Sequence, residues 1–271
     1  AAGSRDNTPV VLTGSADGTV TYGNDSVTVD ASHTEEGYLM VSYSGSNSKV
    51  KLQITGSDEI TYTYNLHDGY ETFPLTSGSG SYTVGVFENI EGTSYSTLFT
   101  QAIDVTIQDE FGPYLYANQY VNFSADSKVI SKAMELSASA NDDLEVIENV
   151  YNYIITNFTY DYDKAASVQS GYLPNVDEVL ASQTGICFDY AAVMASMLRC
   201  ERIPTRLEVG YMGDVYHAWI STYIKDKGWV NGIIEFDGND WKLMDPTFAS
   251  TSSDPKDFLT QTDEYITKYV Y

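Results

Sequence analysis

Positive charge is scarce in this chain. It carries 14 Lys and Arg against 38 Asp and Glu, a net charge of −24 over 271 residues. A surface this anionic repels phosphate backbones and acidic bilayers, which excludes nucleic acid and anionic membrane as partners. Long apolar runs are missing too. No stretch approaches the ~20 residues that cross a hydrocarbon core, so no membrane span is expected. With 3 His and 2 Cys there is no zinc-ligand spacing. Asp161-Tyr162-Asp163 and Asp237-Gly238-Asn239-Asp240 fit no EF-hand loop and read as turns. No metal and no organic cofactor is expected. The chain opens on Ala1-Ala2-Gly3-Ser4 without Met or an apolar signal core. It reads as a mature or trimmed segment whose leader is missing. The Thr, Ser, Tyr and Gly-rich first half is typical of an exported bacterial β domain, so a secreted or cell-surface location is the expectation.

Two cysteines in an exported protein would ordinarily form a disulfide. Here the spacing opposes it. From Cys187 onward, Tyr190, Ala191, Met194, Met197 and Leu198 recur at three- and four-residue steps, the period of an amphipathic helix. Along such a helix Cys187 and Cys200 lie roughly 20 Å apart at 1.5 Å per residue. Bridged Cα atoms must approach within about 7 Å. Cys187 is therefore expected to be a free thiol and Cys200 a small packing residue. Gly185 allows a tight turn before Cys187, Arg199 and Arg202 suit the negative helix end, and Pro204 stops the helix. Unpaired N–H groups at the helix start favour thiolate over thiol at Cys187.

In chain order, residues 1–15 read as frayed. From Thr19 to Ile107 short alternating stretches follow one another: Val27–Asp30, Tyr38–Tyr43, Val50–Ile54, Ile60–Tyr64, Tyr70–Phe73, Tyr82–Phe87 and Ser96–Ile107. Turn clusters rich in Gly, Ser, Asn and Asp separate them. Seven or eight strands at roughly ten-residue spacing predict an antiparallel, immunoglobulin-like β-sandwich over residues 1–112. This half has no cysteine, and His33 and His67 stand alone as surface or turn residues.

Gly112-Pro113 breaks the pattern, and residues 113–271 form a second domain. Val129, Ala133, Leu136 and Ala140 make one helical stripe. Asn141 is positioned to cap a second helix carrying Leu144, Ile147, Val150, Tyr151, Ile154 and Ile155. A helical turn at Val176–Leu180, the Cys187 helix, and strands at Arg206–Tyr211, His217–Ile224, Trp229–Phe236 and Trp241–Met244 follow. Helices first and antiparallel strands after give an α+β class.

Three residues of this domain form a possible nucleophilic set: Cys187 opening a helix, His217 opening a strand, and Asp245 closing one. Cysteine acyl transfer needs a thiolate, an imidazole that takes up the thiol proton and later gives it to the leaving amine, and an acceptor that orients the imidazole. Taken singly, each has a plainer reading: a helix cysteine packs, a strand histidine is structural, and an Asp before Pro starts a turn. Their order and their placement at element ends are mutually consistent.

Those residues sit in three recognisable blocks. Gly185-Ile186-Cys187-Phe188-Asp189-Tyr190-Ala191 with Ile203-Pro204-Thr205-Arg206 and Gly210-Tyr211, then His217-Ala218-Trp219, then Trp241-Lys242-Leu243-Met244-Asp245-Pro246-Thr247, resemble the nucleophile, histidine and aspartate blocks of the transglutaminase-like superfamily. The resemblance covers about residues 125–250. It implies a papain-like core, a nucleophile helix packed on an antiparallel sheet. It also implies catalytic roles: Cys187 as nucleophile, His217 as base and acid, Asp245 as orienting carboxylate. The implied reaction is acyl transfer on peptide amides through a thioester, ending in crosslinking, deamidation or proteolysis. The partner is then a protein or peptide substrate, cell-wall peptide included. A catalytically silent binding protein on the same scaffold is the alternative. For the oxyanion, the Cys187 N–H is one donor, and Gln183 or a tyrosine of Tyr160–Tyr162 is the candidate second. Arg206 is expected to pair with a carboxylate such as Asp189. Trp219, Trp229 and Trp241 are expected in sheet core, with groove walls as the other option.

Overall fold

A computed structural model describes residues 1–232, 234–236, 241–243 and 265–271. The fold mixes sheets and helices, and the chain divides into two compact units. One unit is Thr13–Gln119, the other Ala1–Leu12 together with Tyr120–Tyr271. Among the described residues no helix is long and apolar enough to cross a membrane.

Thr13–Gln119 is built of eight strands: β1 (Thr21–Gly23), β2 (Val27–Asp30), β3 (Tyr38–Tyr43), β4 (Val50–Thr55), β5 (Thr61–Asn65), β6 (Glu71–Pro74), β7 (Gly80–Glu91) and β8 (Ser94–Val105). They form two four-stranded antiparallel sheets, ordered β1-β2-β3-β6 and β5-β4-β7-β8. Period-two patterning decides which face is buried. In β4 Val50, Leu52 and Ile54 are buried, while Lys51, Gln53 and Thr55 are partly exposed. The inner faces share one core, where the rings of Tyr64 on β5 and Phe73 on β6 lie 4.7 Å apart. At the β6–β7 corner the Tyr82 hydroxyl donates to the Gly78 carbonyl at 2.7 Å and accepts from the Ser77 N–H at 3.0 Å.

The other unit carries α1 (Lys128–Ser137), α2 (Asp143–Asn157), β9 (Thr159–Tyr160), α3 (Tyr162–Ser167), α4 (Val176–Ser182), β10 (Thr184–Gly185) and α5 (Cys187–Cys200). Then come β11 (Thr205–Met212), β12 (Val215–Ile224), β13 (Gly228–Gly232), β14 (Ile234–Phe236), β15 (Trp241–Leu243) and β16 (Tyr265–Val270). An antiparallel sheet runs β13-β12-β11-β16. Helix α5 packs against β11 and β12 and also against α1, α2 and α4. Every residue from Asp189 to Cys200 is therefore buried. The stripe seen in the sequence is only part of the apolar surface, because Ala192, Val193, Ala195 and Ser196 are covered as well. A helix enclosed on all sides is the centre of its unit.

Several expectations change here. Residues 1–12 are not frayed: the Gly3 N–H donates to Ala138 O at 3.0 Å and the Val10 N–H to Cys200 O at 2.8 Å. Arg5 adds ion pairs to Asp143 at 2.7 Å and Glu201 at 3.2 Å. Backbone bonds and side-chain pairing across the chain, neither of which has a period, hold this segment, and it lies with the helices rather than with the strands. The other unit extends to Gln119: the 112–114 turn packs against the Thr34–Glu36 turn, where a Cβ on Gly112 would stand 1.8 Å from Glu36 O, and the Gln119 N–H donates to Thr72 O of β6 at 3.0 Å. Helix α2 is capped by Asp142, not Asn141, with Asp142 accepting the Glu145 N–H at 2.9 Å. Helix α5 ends at Cys200, before Pro204, through Arg202 at φ 64°.

Candidate active site

Cys187 is the first residue of α5, preceded by Ile186 in extended conformation (φ −101°, ψ 176°). The approach is fixed by a parallel pairing of β10 with β9, Thr184 opposite Thr159 and Gly185 opposite Tyr160. Gly185 serves a close approach here rather than a turn. A Cβ there would lie 2.8 Å from both Cβ and Oδ2 of Asp189.

Asp189 is fully buried. Its Oδ2 accepts the Ile186 N–H at 2.9 Å and pairs with Lys164 Nζ at 2.8 Å, while Oδ1 accepts the Tyr172 hydroxyl. An acid at the third helical position reaching back to the N-cap amide is half of a capping box. The expected Asp189–Arg206 pair is thus replaced by Asp189–Lys164. Arg206 instead stacks on Trp229, its guanidinium carbon 3.8 Å from the ring centre.

His217 lies on β12 opposite Gly210 on β11. A side chain at Gly210 would collide with Ile266 O at 1.9 Å, so the glycine lets β16 close on this row. The structure brings the His217 strand to the cysteine: the backbone N–H of Ala218, next in the chain, acts on the Cys187 sulfur as a hydrogen-bond donor. Ala218, Trp219 and Ile220 face Cys187, Tyr190, Ala191 and Met194 across a small apolar cavity with room for about one water. Trp219 is 2% exposed and its ring is stacked beside that of His217, centroids 6.2 Å apart. Asp245 lies outside the described residues, as do Asp237–Asp240 and the side chain of Trp241.

Burial dominates the thiol and pushes its pKa up. The N–H groups of Ala218, Phe188 and Cys187 pull the other way, and the Asp189 charge adds to the rise. The helix-start donors anticipated from sequence are therefore present, but desolvation outweighs them and the resting group is a thiol. Tyr160 adjoins it: burial, then the Cys187 sulfur, raise the pKa of that phenol. Gln183 is the left-handed C-cap of α4 (φ 53°), and its amide donates to Tyr153 Oη at 3.2 Å. Asp161, read as part of a turn, caps α3 by accepting the Lys164 N–H at 2.9 Å. Both cysteines are free, Cys187 half-buried and Cys200 buried. Cys200 donates to Met197 O at 3.1 Å, and its pKa is pushed up to about 12 by burial. Lys164 and Tyr172 were not anticipated. The capping-box position of Asp189 signals a buried acid, but nothing local signals its partners.

Residues 130–232 match the model of the transglutaminase-like superfamily. A UPF0252 protein of Methanocaldococcus jannaschii is 28% identical over 89 residues, 31% of this chain and 24% of that protein. The chain thus matches about a quarter of that relative's length. Among solved structures, a candidate cysteine protease from Cytophaga hutchinsonii aligns at 16% identity and TM-score 0.41, over 93% of this chain and 74% of that one. Red sea bream transglutaminase aligns at 14% identity and TM-score 0.32, over 78% and 48%. The match to the transglutaminase-like superfamily model thus falls on the segment that holds the α5 cysteine and the β12 histidine.

Proposed function

We propose that this chain is a cysteine-dependent acyl transferase acting on peptide amides, with Cys187 as nucleophile, His217 as base and acid, and Asp245 as the carboxylate orienting the imidazole. One observation carries the reading: Cys187 starts α5 directly against the β12 segment that follows His217. The sulfur attacks the amide carbonyl carbon as its proton passes to His217. The C–N bond breaks, the amine leaves with that proton, and a thioester remains on Cys187. An incoming amine gives a crosslink and water gives deamidation or proteolysis. Either attack regenerates the thiol. A thiol whose pKa is raised at rest suits this order, in which the thiolate forms during attack rather than before it. The Cys187 N–H is one oxyanion donor. The Tyr160 hydroxyl, next to the Cys187 sulfur, is one second candidate, and the Gln183 amide, which donates to Tyr153, is the other.

The scaffold follows the same reading. Helix α5 against β11 and β12 supports a papain-like core. For Thr13–Gln119 an immunoglobulin-like sandwich is supported by two features: the β2-β3-β6 and β5-β4-β7-β8 strand orders, and the Tyr82 hydroxyl bonded back to Gly78, a tyrosine corner. Export to the cell surface and a protein or cell-wall peptide substrate complete the proposal.

Mass spectrometry of Cys187 after incubation with a panel of peptide amides tests the reaction. A thioester adduct on Cys187 that is absent in His217→Ala is expected; no adduct with any amide would overturn it. The alternative is a silent binding scaffold. Ligand binding and cellular phenotype both unchanged in Cys187→Ala would select it.

A further inference from the structure

We infer that Lys164 and Tyr172 are positioning residues for Cys187, forming with the buried Asp189 one unit that clamps the backbone where α5 begins. The inference rests on the proposed nucleophilic role of Cys187. Asp189 is 0% exposed, and a carboxylate so placed costs several kcal/mol unless it is paired and hydrogen-bonded. Three separate segments meet that need: the Ile186 N–H at 2.9 Å, Lys164 Nζ of α3 at 2.8 Å, and the Tyr172 hydroxyl from the loop before α4. Lys164 Nζ also sits 4.5 Å over the Tyr172 ring, which ties the two donors together. Gly185 leaves the space the carboxylate fills.

The clamped amide belongs to Ile186, the residue before Cys187, so the bond fixes where the sulfur starts. It also introduces a problem. An uncompensated carboxylate near the helix start opposes thiolate formation and cancels the positive helix end. Lys164 supplies the compensating charge from another element. Other groups near the sulfur and the carboxylate are Tyr160 of β9, Tyr190 of α5 and Asp161 capping α3, with His217 on the adjoining β12 strand. None of these is a fixed cation, which leaves the compensation to Lys164.

The test is the rate of Cys187 alkylation by iodoacetamide in the full chain between about pH 7 and 11, with the adduct located by mass spectrometry and folding checked by circular dichroism. Lys164→Met should raise the midpoint by about one unit, read as roughly tenfold slower alkylation below the midpoint. Asp189→Asn should move it down, Tyr172→Phe up by less than Lys164→Met, and Lys164→Arg should restore the wild-type profile. Lys164→Gln serves if Lys164→Met does not fold. An unmoved or lowered midpoint in a folded neutral variant overturns the inference, as does failure of both neutral variants to fold, since Lys164 would then hold the fold rather than the cysteine. An unmoved Tyr172→Phe profile removes Tyr172 from the unit. Alkylation needs no turnover, so failure of the clamp and failure of the acyl-transfer reading are read separately.

Discussion

Arg199→Met should loosen the helical unit from its centre. Arg199 is 1% exposed in the last turn of α5. Its Nε and Nη2 donate to Thr205 O at 3.0 and 2.8 Å, and Nη2 also donates to Tyr271 O at 2.8 Å. The guanidinium thus ties the helix end to the start of β11 and to the residue after β16. Methionine fills much the same volume, so the cost falls on the lost hydrogen bonds. With each charge-assisted acceptor worth about 1.5–3 kcal/mol, losing these two carbonyls costs about 3–6 kcal/mol. In a unit of this size that lowers the melting temperature by roughly 10 °C. All three tryptophans lie at 219, 229 and 241, so tryptophan fluorescence follows this unit and is silent on Thr13–Gln119. Arg199→Lys, with a charge but no fork, should fall between. A loss under about 1 kcal/mol for Arg199→Met would refute the argument that these bonds hold the C-terminal strand.

Gly185→Ala should cost about 1–3 kcal/mol by overpacking against Asp189 and should slow Cys187 alkylation, both measurable on one preparation. Arg5→Ala should cost about 2–3 kcal/mol by uncovering the fully buried Glu201. The folded Glu201 pKa lies above its ordinary 4.5 chiefly because of burial, and Arg5 restrains it. A raised acid weakens the fold as pH climbs through its pKa. The Arg5→Ala deficit should therefore be largest at neutral pH and shrink once the pH drops below about 4.5; denaturant melts at several pH values check the sign. Native protein should take up one alkyl group, at Cys187, with a midpoint above the ordinary thiol value of 9.0, while Cys200 labels only after denaturation.

The sequence was most informative where neighbours in the chain determine the outcome. Helix α5 spans Cys187–Cys200 as its period indicates, β2 and β3 form where the sequence places them, and β4 follows its alternation. The free thiols follow from helix geometry alone. The Cys187 helix and the His217 strand were legible because their residues are contiguous. What was not legible depends on partners far along the chain. Lys164 is 25 residues from Asp189, and Arg5 is 196 from Glu201. No local period marks either pair. β16 went unread although Tyr265–Val270 could alternate, because its place beside β11 is a tertiary fact. The thiol shows the same limit: the helix start that favours thiolate is visible in sequence, whereas the enclosure that raises the thiol pKa is not.

The central claim is that Cys187 carries the acyl group. Intact-mass and peptide-level spectrometry after incubation with a peptide amide tests it most directly. The account predicts a thioester on Cys187 that hydroxylamine releases and that neither Cys187→Ala nor His217→Ala forms. An adduct formed equally well without His217, or product released by Cys187→Ala, would contradict it.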